Sequence, residues 1–130
     1  MLGNRFIVLP VKERLRAVLR HEYDHAESNF NGIKLKEGME INSSNVHSIN
    51  PKVYYFVDES KAKLNEFESF QSLGKENPAY LFSLLVLATY MTDMTKRMKD
   101  TRLTPYEEAM MKFQFGRFDK IRPEIEKLSR

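Results

Sequence analysis

The sequence contains no cysteine and no tryptophan. The missing thiols exclude a disulfide framework, thiolate zinc sites, iron–sulfur clusters and a cysteine nucleophile together. Histidine is scarce as well: His21, His25 and His47 are the only three, so a metal would have to be held by these imidazoles with Asp or Glu. The five glycines are scattered, and neither Gly-x-Ser-x-Gly nor a Gly-rich phosphate loop occurs, which removes the nucleophile elbow and the P-loop. Long apolar runs are lacking. Ala79 to Ala88, broken by Ser83, falls short of the roughly 18 to 20 residues of a membrane span. Phe6 to Leu9 is too short for a signal-peptide core. The expectation is a cytoplasmic chain that starts at Met1 and has no membrane association.

The chain does have 130 residues, 42% of them hydrophobic and 30% charged, with nine Phe and six Tyr. That is too aromatic and too balanced in charge for disorder, and it points to a single globular domain, 1–130. The net charge of +3 is unevenly placed: residues 1–20 sum to +4, 21–94 to −5, and 96–130 to +4. Basic ends of this kind can orient a molecule towards an acidic partner, although solvated helix faces give the same pattern.

Three cap signals order the chain. Asn50-Pro51, Asn77-Pro78 and Thr104-Pro105 each pair an N-cap with proline at the first helical position. Glu107, three residues after Thr104, completes a capping box. Apolar stripes extend these into helices near 50–73, 77–99 and 104–128, with a kink at Pro123. Another helix near 10–30 carries Leu15, Val18, Leu19, Tyr23, Ala26 and Phe30 on one stripe. The helix at 77–99 is apolar on most sides over its first half, so it is expected to be central, with Leu84 and Leu85 among the most buried residues. Residues 31–49 alternate around Gly38 and read as an irregular link or small β-hairpin, with Arg5 to Leu9 a potential extra strand. The predicted fold is mainly α, a four-helix bundle-like domain with that connection between its first two helices. A Met stripe, Met91, Met94 and Met98, reads as core filler rather than a haem ligand set. A di-iron pattern is incomplete, because only Glu22-x-x-His25 has the Glu-x-x-His form.

One segment carries chemistry. His21-Glu22-Tyr23-Asp24-His25 has the HExxH form, which places two imidazoles on one helical face with a glutamate beside them able to act as base on an activated water. With Asp24 before the second histidine it resembles the HExDH segment of peptide deformylases. The resemblance covers five residues; a Cys-containing motif upstream is lacking, and Ala26 to Phe30 continues neither the deformylase nor the metzincin pattern. A third ligand is sought in the connecting segment, at His47, Glu37 or Glu40. On a helical projection Glu22 falls within the apolar stripe and the two histidines at its margin or beyond.

Two functional classes follow. The first is a small non-catalytic interaction protein, without a cofactor, that docks on a protein, or on nucleic acid or another polyanion, through Arg14, Arg16, Arg20, Lys112, Arg117, Lys120 and Arg122. The alternative is a zinc-dependent hydrolase using Glu22 as catalytic base with His21, His25 and His47 as metal ligands.

Overall fold

The computed structural model describes residues 11–128. It is mainly helical, as the cap signals predict: α1 (Val11–Asn31), β1 (Ile33–Lys36), β2 (Met39–Ile41), a 3-10 turn (Val46–Ser48), α2 (Pro51–Gln71), α3 (Pro78–Arg97), α4 (Pro105–Asp119) and α5 (Arg122–Leu128). The suggested strand at Arg5 to Leu9 lies outside the described residues. All three predicted caps are made. The Asn50 side chain accepts from the Lys52 amide at 2.9 Å, Asn77 from Ala79 at 2.8 Å, and Thr104 from Glu107 at 3.2 Å. Glu107 accepts the Thr104 amide in return and also the amide of Asn50 at 2.7 Å, so one carboxylate joins the starts of α2 and α4.

The β1–β2 hairpin is antiparallel, with Ile33 opposite Ile41 and a bulge between Lys34 and Lys36. Gly32 must be glycine: its φ is +78°, and a Cβ there would lie 2.7 Å from the Ile41 carbonyl oxygen. Tyr106 of α4 fastens the hairpin, its hydroxyl accepting from the Glu40 amide and donating to the Glu40 carbonyl, both at 2.7 Å.

Three expectations are corrected. First, the middle position belongs to α2, which packs against α1, α3 and α4. Val53, Phe56, Val57, Leu64 and Phe67 from α2 meet Tyr80, Leu84, Leu87 and Met91 from α3 in one core. Leu84 is fully buried but Leu85 is only half-buried. Neighbours on a helix point about 100° apart, and Leu85 turns onto the outer side of α3 with Phe82 and Val86. Second, the last predicted helix breaks at Lys120 rather than bending, and α5 restarts with Pro123 in its first turn, where the missing amide costs least.

Third, α1 docks by its polar side. Leu15, Val18, Leu19 and Tyr23 are 55–60% exposed and Phe30 is 88% exposed, whereas Asp24 and Ser28 are buried. The cause is the surface α1 meets. Facing it, α2 carries Asp58, Glu59, Lys61, Asn65 and Glu66, and an apolar stripe laid there would strip these groups of water without giving them partners.

Stability should follow this layout. Leu84→Ala is expected to cost about 2 to 5 kcal/mol and Leu85→Ala about 1 kcal/mol, because only the first leaves a closed cavity. Glu107→Ala should cost about 2 kcal/mol or more, since two amides lose a charged acceptor. Urea unfolding of the three variants checks the order; equal losses at Leu84 and Leu85 would contradict the placement of α3.

Candidate metal centre

Asp24 sets the register of α1 on α2. Its buried carboxylate accepts from Lys61 Nζ at 3.1 Å and from Asn65 Nδ2 at 2.7 Å, and Asn65 in turn accepts from Arg117 of α4 at 3.3 Å. With Asp24 fixed, His21 and His25, one turn apart, project against the next stretch of α2 on either side of it. Their Nε2 atoms stand 3.0 Å apart. Glu59 closes the group, with Oε1 2.7 Å from His21 Nε2 and Oε2 3.1 Å from His25 Nε2. One ligand atom from each of the three residues lies within 4.8 Å of the others.

The opposite edge of each ring faces a further carboxylate. His25 Nδ1 is 2.9 Å from Asp58, and His21 Nδ1 is 3.5 Å from Glu66. A proton held on Nδ1 by such a carboxylate leaves the Nε2 lone pair free in the neutral ring. Two lone pairs and an anionic oxygen then converge on one point, and that arrangement calls for a cation. A proton is one answer: hydrogen bonds to Glu59 and Glu66, outweighing burial, raise the His21 pKa to about 9. The hydrogen bond from His21 likewise lowers Glu59 to about 2. A divalent ion is the other. Zinc at its usual bond length of about 2.0 to 2.1 Å in tetrahedral geometry holds two nitrogens about 3.3 Å apart, so the pair need open by only a few tenths of an ångström.

The group is not sealed. A cleft of about 280 Å³ opens beside it, lined by Val18, His21 and Glu22 from α1, Lys63 and Glu66 from α2, and Phe82 and Val86 from α3. Of the three residues His21 reaches this cleft, by the ring edge that faces Glu66, while His25 and Glu59 lie behind it; three residues of this kind are fewer than the four that close a structural zinc site. Glu22 is exposed at this opening. Lys63 lies 3.4 Å from Glu59 and 5.3 Å from the ring centre of Tyr90.

Of the ligands sought from sequence, His21 and His25 are brought together. His47 is exposed in the 3-10 turn, Glu37 is exposed beside Lys34, and Glu40 accepts from Asn42 at the hairpin; none belongs to the group. Glu59 was missed. The signal for it was an acidic stripe on α2, with Asp58, Glu59 and Glu66 recurring on one face around Ala62. Three of the seven basic residues proposed for partner contact are paired locally, Lys112 with Glu108, Arg117 with Glu68 and Arg122 with Asp119, while Lys120 is exposed. Arg20 lies with its guanidinium 5.8 Å from the Tyr23 ring centre; the side chains of Arg14 and Arg16 lie outside those described. No helix among the described residues is long and apolar enough to cross a membrane. No family model, curated protein or solved structure matches the chain.

The metal-free protein should show the charge cluster in its pH dependence. His21 is faced by Glu59, Glu66 and Lys63 from α2 and by His25 on its own helix, with Tyr90 of α3 close to Glu59. Its raised folded pKa means that its contribution is complete below the ordinary value of 6.5 and disappears as pH climbs to about 9. The lowered pKa of Glu59 means that its contribution is present above 4.5 and disappears as pH falls to about 2. Melting temperature after chelation should therefore decline between pH 6.5 and 9, and Glu59→Gln should flatten that decline. An unchanged slope in the variant would contradict the pairing.

Proposed function

We propose that the protein is a metal-dependent hydrolase in which His21, His25 and Glu59 hold a zinc-like divalent ion and Glu22 is the general base. The observation that carries this reading is the convergence of two imidazole Nε2 atoms and one carboxylate beside an open cleft that Glu22 lines. An ion held there supplies a Lewis acid and a water of lowered pKa. With an ion bound, Glu22 would be the residue to take a proton from the attacking water as its oxygen adds to the carbonyl carbon of an amide or ester, and to return it to the leaving group as the acyl bond breaks. Asp58 and Glu66 keep the two imidazoles in the ligating tautomer and orientation. Lys63, whose ammonium lies 3.4 Å from Glu59 and which lines the cleft, is the cation available to offset negative charge developing on the carbonyl oxygen.

A second reading has its own observation, the exposed apolar side of α1. A protein partner fits this side, and a second copy packed antiparallel fits it well, because Leu15 would meet Phe30 and Leu19 would meet Ala26. The basic first half of α1 would then lie along its acidic second half. Sedimentation of the wild type and of Leu19→Lys measures this: the reading expects a dimer that the substitution dissociates, and a wild-type monomer at high protein concentration would end it.

For the principal reading, protein never exposed to chelator is expected to carry close to one zinc or similar ion per chain, and chelation should lower its melting temperature. Glu59→Gln should lose the ion. Glu22→Gln should retain it and lose hydrolysis, since both imidazoles remain and only the base is gone. A metal content near zero in untreated protein would overturn the reading.

A further inference from the structure

The outward side of α3 has more apolar surface than the core requires. The inward side is already filled by Tyr80, Leu84, Leu87 and Met91. Phe82, Leu85 and Val86 instead stay half-buried and form the floor of a second cleft of about 650 Å³, which runs on to Thr89, Tyr90 and Asp93. This cleft shares Lys63, Phe82 and Val86 with the one beside His21 and Glu22. The two form a single groove along α3, with Val18 of α1 as an apolar wall at the end nearest the candidate ligands. The Tyr90 hydroxyl, in the groove lining, is buried and without a hydrogen-bond partner.

Resting on the reading of His21, His25 and Glu59 as a metal centre, we infer that the substrate is an acyl compound, such as a peptide, that carries a bulky aliphatic or aromatic side chain next to the scissile carbonyl and seats it on Val18, Phe82, Leu85 and Val86. The placement follows from the groove's two ends. To react, a carbonyl must lie beside His21 and Glu22, and a chain leaving that point along α3 crosses a floor of Phe82, Val86 and Leu85, with Lys63 at its side, before it reaches Thr89, Tyr90 and Asp93. On the floor itself a polar side chain meets only Phe82, Leu85 and Val86 and loses hydration, whereas a leucine-sized group gains about ten-fold or more in affinity from leaving water.

The test uses two hydroxamates on the cobalt-loaded full chain, read by the visible absorption of the ion. Acetohydroxamate and 4-methylpentanohydroxamate present the same chelating head, so the difference between their dissociation constants reports the groove alone. The longer compound is expected to bind at least ten-fold tighter, and Leu85→Asn, on the floor of the second cleft that His21 and Glu22 do not line, should reduce that advantage while leaving cobalt loading and acetohydroxamate affinity unchanged. Leu85→Ser, at the same position, serves if Leu85→Asn does not fold. Equal affinities for the two compounds on the wild type would overturn the apolar groove while the metal centre stands. Failure to take up cobalt would overturn the metal centre and this inference with it.

Discussion

The contact between α1 and α2 is polar, and the placement of every candidate ligand depends on it. A helix with an apolar stripe ordinarily buries that stripe. Here a network of charges takes its place, with Asp24 held by Lys61 and Asn65 and the two histidines facing Asp58, Glu59 and Glu66. Burial of such groups is favourable only when each finds a partner of opposite charge or complementary hydrogen bonding. The local excess is acidic, and a divalent cation between His21, His25 and Glu59 would reduce it. The polar seam thus fixes the position of α1 and concentrates negative potential at the same place.

The same seam explains why the apolar surfaces lie where they do. Because α1 turns its polar side inward, Val18 is the apolar residue it brings to the cleft on the outer side of α3, and Phe82, Leu85 and Val86 remain lining an open groove. The main core is built without them by α2 and α3 around Phe56, Phe67, Leu84 and Met91 and includes Ile33 and Ile41 of the hairpin, while Phe82 also packs against a smaller buried pair, Phe70 and Ala79. Glu107 and Tyr106 attach the start of α4 to α2 and to the hairpin. Leu85 and Val86 of the groove lie outside the buried clusters that hold the scaffold together.

Much of the fold was legible because its signals are local. Asn50, Asn77 and Thr104 announce helix starts by residue type and by the proline that follows, and Gly38 marks the turn of the hairpin. The identity of the central helix was not legible, since hydropathy measures how apolar a helix is and not how extensively it is packed; α2, less apolar than α3, packs more extensively against its three neighbours. The orientation of α1 was misread for a related reason: a stripe of Leu15, Leu19 and Phe30 indicates burial unless a neighbouring helix offers partners to the opposite face. His21 and His25 could be paired from their spacing alone. Glu59 could not, because its distance from them depends on how two helices are docked, and only the acidic face it shares with Asp58 and Glu66 hinted at that docking.

The central claim is that the seam holds a cation through two imidazoles and a carboxylate. X-ray absorption of the zinc-loaded protein tests it most directly. The account predicts nitrogen and oxygen donors at about 2.0 to 2.1 Å, the outer-shell scattering of two imidazoles per ion, and loss of that pattern on Glu59→Gln. A shell of oxygens without imidazole scattering, or a spectrum that Glu59→Gln leaves unchanged, would contradict it.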